Sequence, residues 1–283
     1  MDQAGRAALR RFLPQAGREL VHILRVTDPN APVLGSQWSV SEVASHLASV
    51  FEAFAKAAVG SGGHYAHLVP QESDFHARLA AVNDAVLRTR ENQQGTRRGV
   101  DACAEIMEAI ATFLDATAAL PADGSLDTPW YGPGVTRTPD TLIALAVSEV
   151  LFHGLDVART TRSPWRIDPG IAAVLVTELF STMVPLMLTE LGRATTVSYR
   201  VSWRGALAAS PDVLVSFANR TVAVRPAARG ERADCRMWAE PVSFLHVMYG
   251  RTSIWQAALT GKVLVTGRRP WAATRLPQYV SRP

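Results

Sequence analysis

A glutamate and a histidine four residues apart, Glu149 and His153, have residue types and a spacing that can do chemistry. On a helix this spacing stacks the carboxylate and the imidazole on one face, one turn apart. A second histidine, His46, lies on the apolar side of an earlier helical segment. Two imidazoles and one carboxylate form the donor set of a catalytic zinc site that keeps its fourth position open for water or a thiol. A bound Zn²⁺ would favour the thiolate form of that thiol, which is a nucleophile at neutral pH.

The pair of Glu149 and His153 also has a simpler interpretation, because these residues at this spacing are common as a surface pair or as a satisfied core pair. The metal interpretation is favoured by the apolar neighbours of Glu149 in the sequence. These are Leu145, Ala146, Val150 and Leu151. A carboxylate buried among such residues must be paired, protonated or bound to a metal.

Helices must position these residues, and the first half of the chain carries the helical period of apolar residues. The predicted helices cover residues 8–26, a segment that starts at Ser39, 75–91, 100–120 and 140–160. The residues from Ser39 to Glu42 have the form of a capping box, in which the serine and the glutamate each satisfy an exposed N–H of the first turn. Long helices joined by loops of mixed length predict a four-helix bundle, where metals bind between facing helices.

The second half begins with a further predicted helix, 168–191, which is expected to bend at Pro185. After Gly192 the apolar period changes to two. This change predicts strands at 196–203, 213–217, 221–225 and 262–267, with a helix over 241–259. The predicted fold is therefore multidomain, α followed by α/β. Its parts are a helical bundle over 1–165, a connecting helix over 166–194 and a small α/β domain over 195–283.

Composition and charge limit the class of protein. Of the 283 residues, 48% are hydrophobic and 19% are charged, as is usual for folded globular proteins. The net charge of +4 comes from scattered arginines, so no nucleic-acid partner is expected. The longest apolar runs are too short to span a membrane, so no membrane partner is expected. Lysine occurs only at Lys56 and Lys262, an arginine bias that suggests a GC-rich, actinobacterial source.

The two cysteines indicate the compartment. Cys103 and Cys235 lie in different halves of the chain, so neither a disulfide framework nor a cysteine metal motif is available. The first 26 residues mix charged with apolar residues and lack the continuous apolar core of a signal peptide. We therefore expect a cytoplasmic protein.

Two segments carry a family resemblance. Residues 37–47 read QWSVSEVASHL and resemble the first signature of the mycothiol-dependent maleylpyruvate isomerase N-terminal domain, a branch of the DinB-like four-helix bundles. Residues 148–158 read SEVLFHGLDVA and resemble the second signature of that family, E-x-x-x-H-x-x-D. The resemblance implies that His46, Glu149 and His153 are zinc ligands.

The companions of these ligands have two interpretations each. By the resemblance, Asp156 could hydrogen-bond to a ligand one turn away. The equal alternative is a surface carboxylate that pairs with Arg159. Trp38, just before the capping serine, is interpreted as a packing residue in preference to a catalytic one. Trp130 and Tyr131 precede the helix of Glu149 and could line the pocket mouth as binding residues, or could anchor a loop.

The C-terminal segments 234–241, 249–251 and 259–267 are similar to the sterol-carrier-protein-2-like domain that is often joined to this bundle. In such proteins the second domain helps to close the thiol site and can supply a catalytic arginine. Arg251 is the candidate here, since arginine suits an anionic substrate or an anionic group of mycothiol. The alternative is a surface charge at the end of a helix.

The resemblance implies an enzyme in which Zn²⁺ activates mycothiol for attack on a small electrophile. S-transfer or thiol exchange is the broader expectation, and mycothiol-dependent cis–trans isomerisation of maleylpyruvate is the alternative. A third alternative is a non-catalytic protein that binds a small molecule or a lipid. The expected partners are mycothiol and the electrophile, in a monomer or a homodimer.

Overall fold

The computed structural model describes residues 1–70, 75–94, 102–208 and 210–281. The chain divides into two compact units, Met1–Arg166 and Ile167–Pro283. The first unit is helical, and the second contains a β-sheet with helices. The predicted fold class, a helical bundle followed by a small α/β domain, is therefore confirmed.

The helices of the first unit agree closely with the apolar periodicity. They are α1 (Gln3–Val26), α2 (Val40–Ala58), α3 (Phe75–Gln94), α4 (Ala102–Ala116) and α5 (Pro139–Thr161). Two short strands lie between α4 and α5, β1 (Leu126–Asp127) and β2 (Thr136–Arg137), and they pair antiparallel. The predicted start of the fourth helix at Val100 lies outside the described residues.

Four of these helices pack around one core. α2 packs against α4, α1 packs against both α4 and α5, and α2 also contacts α5. α3 lies beside α2. The core side chains include Leu13, Leu47, Phe51, Ile106 and Phe113, all fully buried. Because α2 and α5 face each other in this bundle, ligands from the two helices can meet.

α5 is the most buried helix of the bundle. Thr138 caps its first turn by accepting a hydrogen bond from the Thr141 N–H, and Pro139 supplies a helical φ at the first position. The helix ends at Thr161, and the following residue, Arg162, adopts a left-handed conformation. Among the described residues, α5 is the helix whose length and apolar composition would suit a membrane span, but 83% of that span is buried within the protein. The length and apolar composition of α5 are also those of a buried core helix.

The second unit is built on one sheet. Its helices are α6 (Pro169–Met183), α7 (Glu190–Arg193), α8 (Pro241–Met248), α9 (Ile254–Leu259) and α10 (Leu276–Tyr279). Its strands are β3 (Val197–Trp203), β4 (Val213–Ala218), β5 (Thr221–Pro226), β6 (Cys235–Ala239) and β7 (Val263–Gly267). The strand order is β5-β4-β3-β6-β7, with β3 and β6 parallel and the other neighbours antiparallel. Buried side chains of one face, such as Tyr199, Val215 and Met237, form the core.

Two long helices predicted in the second half are wrong in extent. The predicted helix over 168–191 ends at Met183 instead of bending at Pro185, because proline lacks an N–H and disfavours a helical conformation in the residue before it. α7 follows as a separate short helix. The predicted helix over 241–259 is split into α8 and α9, because Gly250 turns the chain with a φ of 71°.

Candidate metal centre

The site is formed by residues of the two helices α2 and α5. Ser39 caps α2: its side chain accepts from the Glu42 N–H, while the Glu42 carboxylate accepts from the Ser39 N–H at 2.6 Å. The capping box predicted from the sequence is therefore confirmed. Two turns into α2, His46 is buried at 5% exposure. On the facing helix α5, Glu149 and His153 lie one turn apart, as their spacing predicts.

The structure brings these three side chains together. Oε2 of Glu149 lies 3.5 Å from Nε2 of His46 and 3.2 Å from Nε2 of His153. One ligand atom from each residue lies within 4.8 Å of the others, which makes this the one group of three or more potential ligands in the described part of the chain. The two imidazole centroids are 4.9 Å apart.

These separations fit a shared ion. Ligand atoms bonded to tetrahedral Zn²⁺ at about 2.0–2.1 Å lie roughly 3.3–3.4 Å from one another. The separations of 3.2 and 3.5 Å bracket this value. The donor set of two imidazoles and one carboxylate therefore fits a divalent metal, and leaves a fourth tetrahedral position for another ligand.

Electrostatics keep the donors in the forms that bind metal. Burial lowers the pKa of His46, although the hydrogen bond to Glu149 opposes this shift, so the ring is neutral near pH 7. Burial raises the pKa of Glu149, but the hydrogen bonds from His153 and His46 outweigh this effect, and the pKa of this carboxyl lies well below its usual range. An ionised carboxylate and a neutral imidazole are the forms required for coordination.

Trp38 contacts both predicted histidine ligands, which the sequence did not predict. Its ring centroid lies 4.6 Å from that of His46 and 5.9 Å from that of His153. The sequence-based interpretation of Trp38 as a packing residue did not include contact with either predicted ligand. The only signal available was its position immediately before the capping serine, which placed it near the start of the helix that carries His46.

The other predicted residues of the first unit are buried. Asp156 is buried at 5% exposure, which argues against a surface carboxylate; its hydrogen bond to a ligand stays a prediction. Trp130 and Tyr131 are buried in a 3₁₀ turn. Trp130 packs against Phe54 at 5.9 Å between ring centroids, and Tyr131 stacks on Phe75 at the same distance. These contacts favour the loop-anchor alternative for both residues.

Arg251 belongs to the second unit, in the turn between α8 and α9. Its guanidinium donates to the Tyr249 carbonyl at 2.5 Å, and its side chain is half-buried. The role of Arg251 in substrate binding stays a prediction.

Comparison with known proteins agrees with this geometry. The sequence profile described as the mycothiol maleylpyruvate isomerase N-terminal domain matches residues 11–158, just over half of the chain. This match includes all three potential metal ligands, His46, Glu149 and His153, which we call the metal cluster. No functionally curated protein matches the chain at a significant level.

Two solved structures are similar to this chain at low sequence identity. A crystal structure of the mycothiol-dependent maleylpyruvate isomerase is 15% identical, with 89% of this chain and 90% of that chain covered and a TM-score of 0.49. A mutant of that enzyme is also 15% identical, with coverages of 94% and 93% and a TM-score of 0.50. The profile match, which spans both ligand-bearing helices, establishes that this chain belongs to the mycothiol maleylpyruvate isomerase N-terminal domain family.

Proposed function

We propose that this protein is a zinc-dependent enzyme that uses mycothiol as co-substrate, for S-transfer or thiol exchange onto an electrophilic small molecule. The observation that carries the proposal is the convergence of His46, Glu149 and His153 at separations suited to one ion. Family membership supports mycothiol as the thiol. Zn²⁺ is proposed because nitrogen and oxygen donors in a three-residue set are typical of catalytic zinc.

The exposure of the three donor side chains indicates the side from which a thiol would approach the site. When bound, a divalent metal stabilises the anionic form of a sulfur ligand and so supplies a nucleophile at neutral pH. The side chain of His46 is 6% exposed, whereas those of Glu149 and His153 are 25% and 20% exposed. His46 therefore anchors the site from within the bundle, and a thiol would approach from the side of the two α5 residues.

The protein's own thiols do not fit the role of nucleophile. Cys103 and Cys235 are both buried thiols, and burial raises the pKa of Cys235 to about 11. A buried, protonated thiol is a poor nucleophile. The reactive sulfur must therefore be brought by a co-substrate, which agrees with a mycothiol enzyme. Two cysteines outside any disulfide also suit the reducing cytoplasm, where we place the protein.

Arg251 is proposed to bind an anionic group of the substrate or of mycothiol. A guanidinium is permanently charged and offers several N–H donors in a planar fork. The interaction of Nη1 with the Tyr249 carbonyl orients this side chain.

The second candidate function is cis–trans isomerisation, in which the thiol adds to a double bond, permits rotation and is then eliminated. It is favoured by the sequence profile that the chain matches, which is described as the mycothiol maleylpyruvate isomerase N-terminal domain. Both reactions begin with the same thiol and differ in whether the carbon–sulfur bond persists in the product.

Product analysis separates the two. The Zn²⁺-loaded protein is incubated with mycothiol and, in parallel, with maleylpyruvate or an alkylating bimane probe, and the products are identified by mass spectrometry. A thioether formed faster than without protein supports S-transfer, while isomerised maleylpyruvate at unchanged mass supports the isomerase. If neither reaction exceeds the rate with chelator-treated protein, the proposal of a zinc-dependent thiol enzyme fails.

A further inference from the structure

Trp38 contacts both histidines of the metal cluster at once. Its indole is stacked on His153 with an interplanar angle of 21° and tilted by 42° against His46. The two imidazoles meet edge to face at 63°. Aromatic rings attract one another at centroid separations of about 4.5–7 Å, and all three separations lie in this range. The indole therefore restricts rotation of both rings.

This contact differs from the usual means of fixing a metal-binding histidine. Such residues ordinarily donate their second ring N–H to a carboxylate or a carbonyl, which sets the ring plane. Nε2 of His46 and Nε2 of His153 lie 3.5 and 3.2 Å from Oε2 of Glu149. Packing against the indole is a further contact that holds the two ring planes.

The backbone of Trp38 is itself held firmly. Its carbonyl accepts a hydrogen bond from the Val33 N–H at 2.9 Å, and its N–H donates to Oγ of Ser36 at 3.1 Å. The same loop is tied to α5, since the Leu34 N–H donates to Oγ1 of Thr160 at 2.9 Å. The loop is thus fixed to α5 and runs directly into the capped start of α2. These are the two helices that carry the ligands.

We propose that Trp38 is a positioning residue of the metal centre, whose indole holds the imidazoles of His46 and His153 in the orientation in which both can donate to one ion. The inference rests on the proposed metal site and adds a residue that binds no metal itself. Trp38 is half-exposed, so its replacement removes the stacked ring without emptying the core of the bundle.

The test compares Trp38→Leu with Trp38→Phe in the full chain. Leucine removes the aromatic face, and phenylalanine keeps one. Zn²⁺ affinity is measured by competition with a chelator, and the ligand geometry is followed by the visible absorption of Co²⁺-substituted protein. Trp255→Leu, at an exposed tryptophan of the second unit, is the matched control. Thermal unfolding checks that each variant is folded, and Trp38→Tyr is a second aromatic variant.

We expect Trp38→Leu to weaken Zn²⁺ binding roughly 10–100-fold, as loss of a group that orients a metal ligand does, and to change the Co²⁺ spectrum. Trp38→Phe should stay within a few-fold of wild type, as should the control. Wild-type affinity and spectrum in Trp38→Leu, or equal losses in the leucine and phenylalanine variants, would overturn the role of Trp38. A wild-type protein that binds no stoichiometric Zn²⁺ would instead contradict the metal centre itself.

Discussion

The three members of the cluster differ in exposure, and this difference separates their contributions. His46 comes from a helix face that is almost fully buried, so its position is set by the packing of α2. Glu149 is the only anion of the three and lies between the two imidazoles. Its negative charge is therefore expected to contribute most to attracting a cation.

Replacement of Glu149 by glutamine tests this contribution. The amide keeps the size of the side chain and removes its charge, so Zn²⁺ affinity should fall by more than about 100-fold, since even groups that only orient a ligand contribute roughly 10–100-fold. Isothermal titration calorimetry measures the change. Glu52→Gln is the control, because Glu52 lies on α2, is exposed and pairs with Lys56. Unchanged affinity in Glu149→Gln would remove Glu149 from the ligand set.

The buried cysteines give a second prediction about single residues. Native protein at pH 8 should react very slowly with a disulfide reagent such as dithionitrobenzoate, because burial shields both thiols and raises the pKa of Cys235 to about 11. Denatured protein should release two equivalents of reporter. Rapid reaction of either cysteine in the native protein would show an accessible thiol and weaken the case for an external one.

At the level of elements, a glycine next to His153 lets α5 pack closely. Trp165 lies on the backbone of α5 and donates from Nε1 to the Leu151 carbonyl at 3.0 Å. A Cβ at Gly154 would approach the Trp165 ring to 2.2 Å, which no real contact allows. The small residue is therefore required by packing, at the position adjacent to a predicted ligand.

Gly154→Ala should destabilise the protein by about 1–3 kcal/mol, the usual effect of forcing an extra methyl group into a packed site. It should also weaken Zn²⁺ binding, because relief of the collision moves the backbone next to His153. Chemical denaturation measures the free energy of unfolding. Gly63→Ala is the control, since nothing lies within 4 Å of a Cβ at that position. Equal stability of Gly154→Ala and wild type would mean that Trp165 moves aside freely.

Sequence reasoning succeeded at elements whose signals are local. The start of α2 was predicted because a capping box involves only four residues, and the spacing of Glu149 and His153 fixes their shared face once α5 is helical. β6 was not predicted, because its parallel pairing with β3 depends on residues far away in the sequence. The contacts of Trp38 escaped prediction for the same reason, since loop packing decides where the indole points.

At the scale of the whole molecule, the residues proposed to bind metal and the residue proposed to bind an anion belong to different units. The three cluster residues belong to the first unit, whereas the proposed anion-binding residue, Arg251, belongs to the second. Metal binding and thiol or substrate binding should therefore respond to different substitutions.

Arg251→Gln in the full chain should leave zinc content unchanged and raise the KM for mycothiol or for an anionic electrophile. The rise should be roughly 10–100-fold, since a hydrogen bond to a charged group contributes about 1.5–3 kcal/mol. Arg251→Lys should restore only part of the loss, because lysine lacks the planar fork. Steady-state kinetics measure the effect, with Arg229→Gln, an exposed arginine of the same unit, as control. A KM equal to that of wild type would exclude Arg251 from binding.

Zinc content of the purified full-length protein, measured by mass spectrometry of the metal, tests the central claim most directly. The three-donor cluster predicts about one Zn²⁺ per chain in wild type and in His67→Ala, where the substituted histidine is exposed and outside the cluster. His46→Ala should retain almost none while remaining folded by circular dichroism. Wild-type protein that holds no stoichiometric metal after incubation with Zn²⁺, or a His46→Ala variant that holds as much as wild type, would contradict the metal centre.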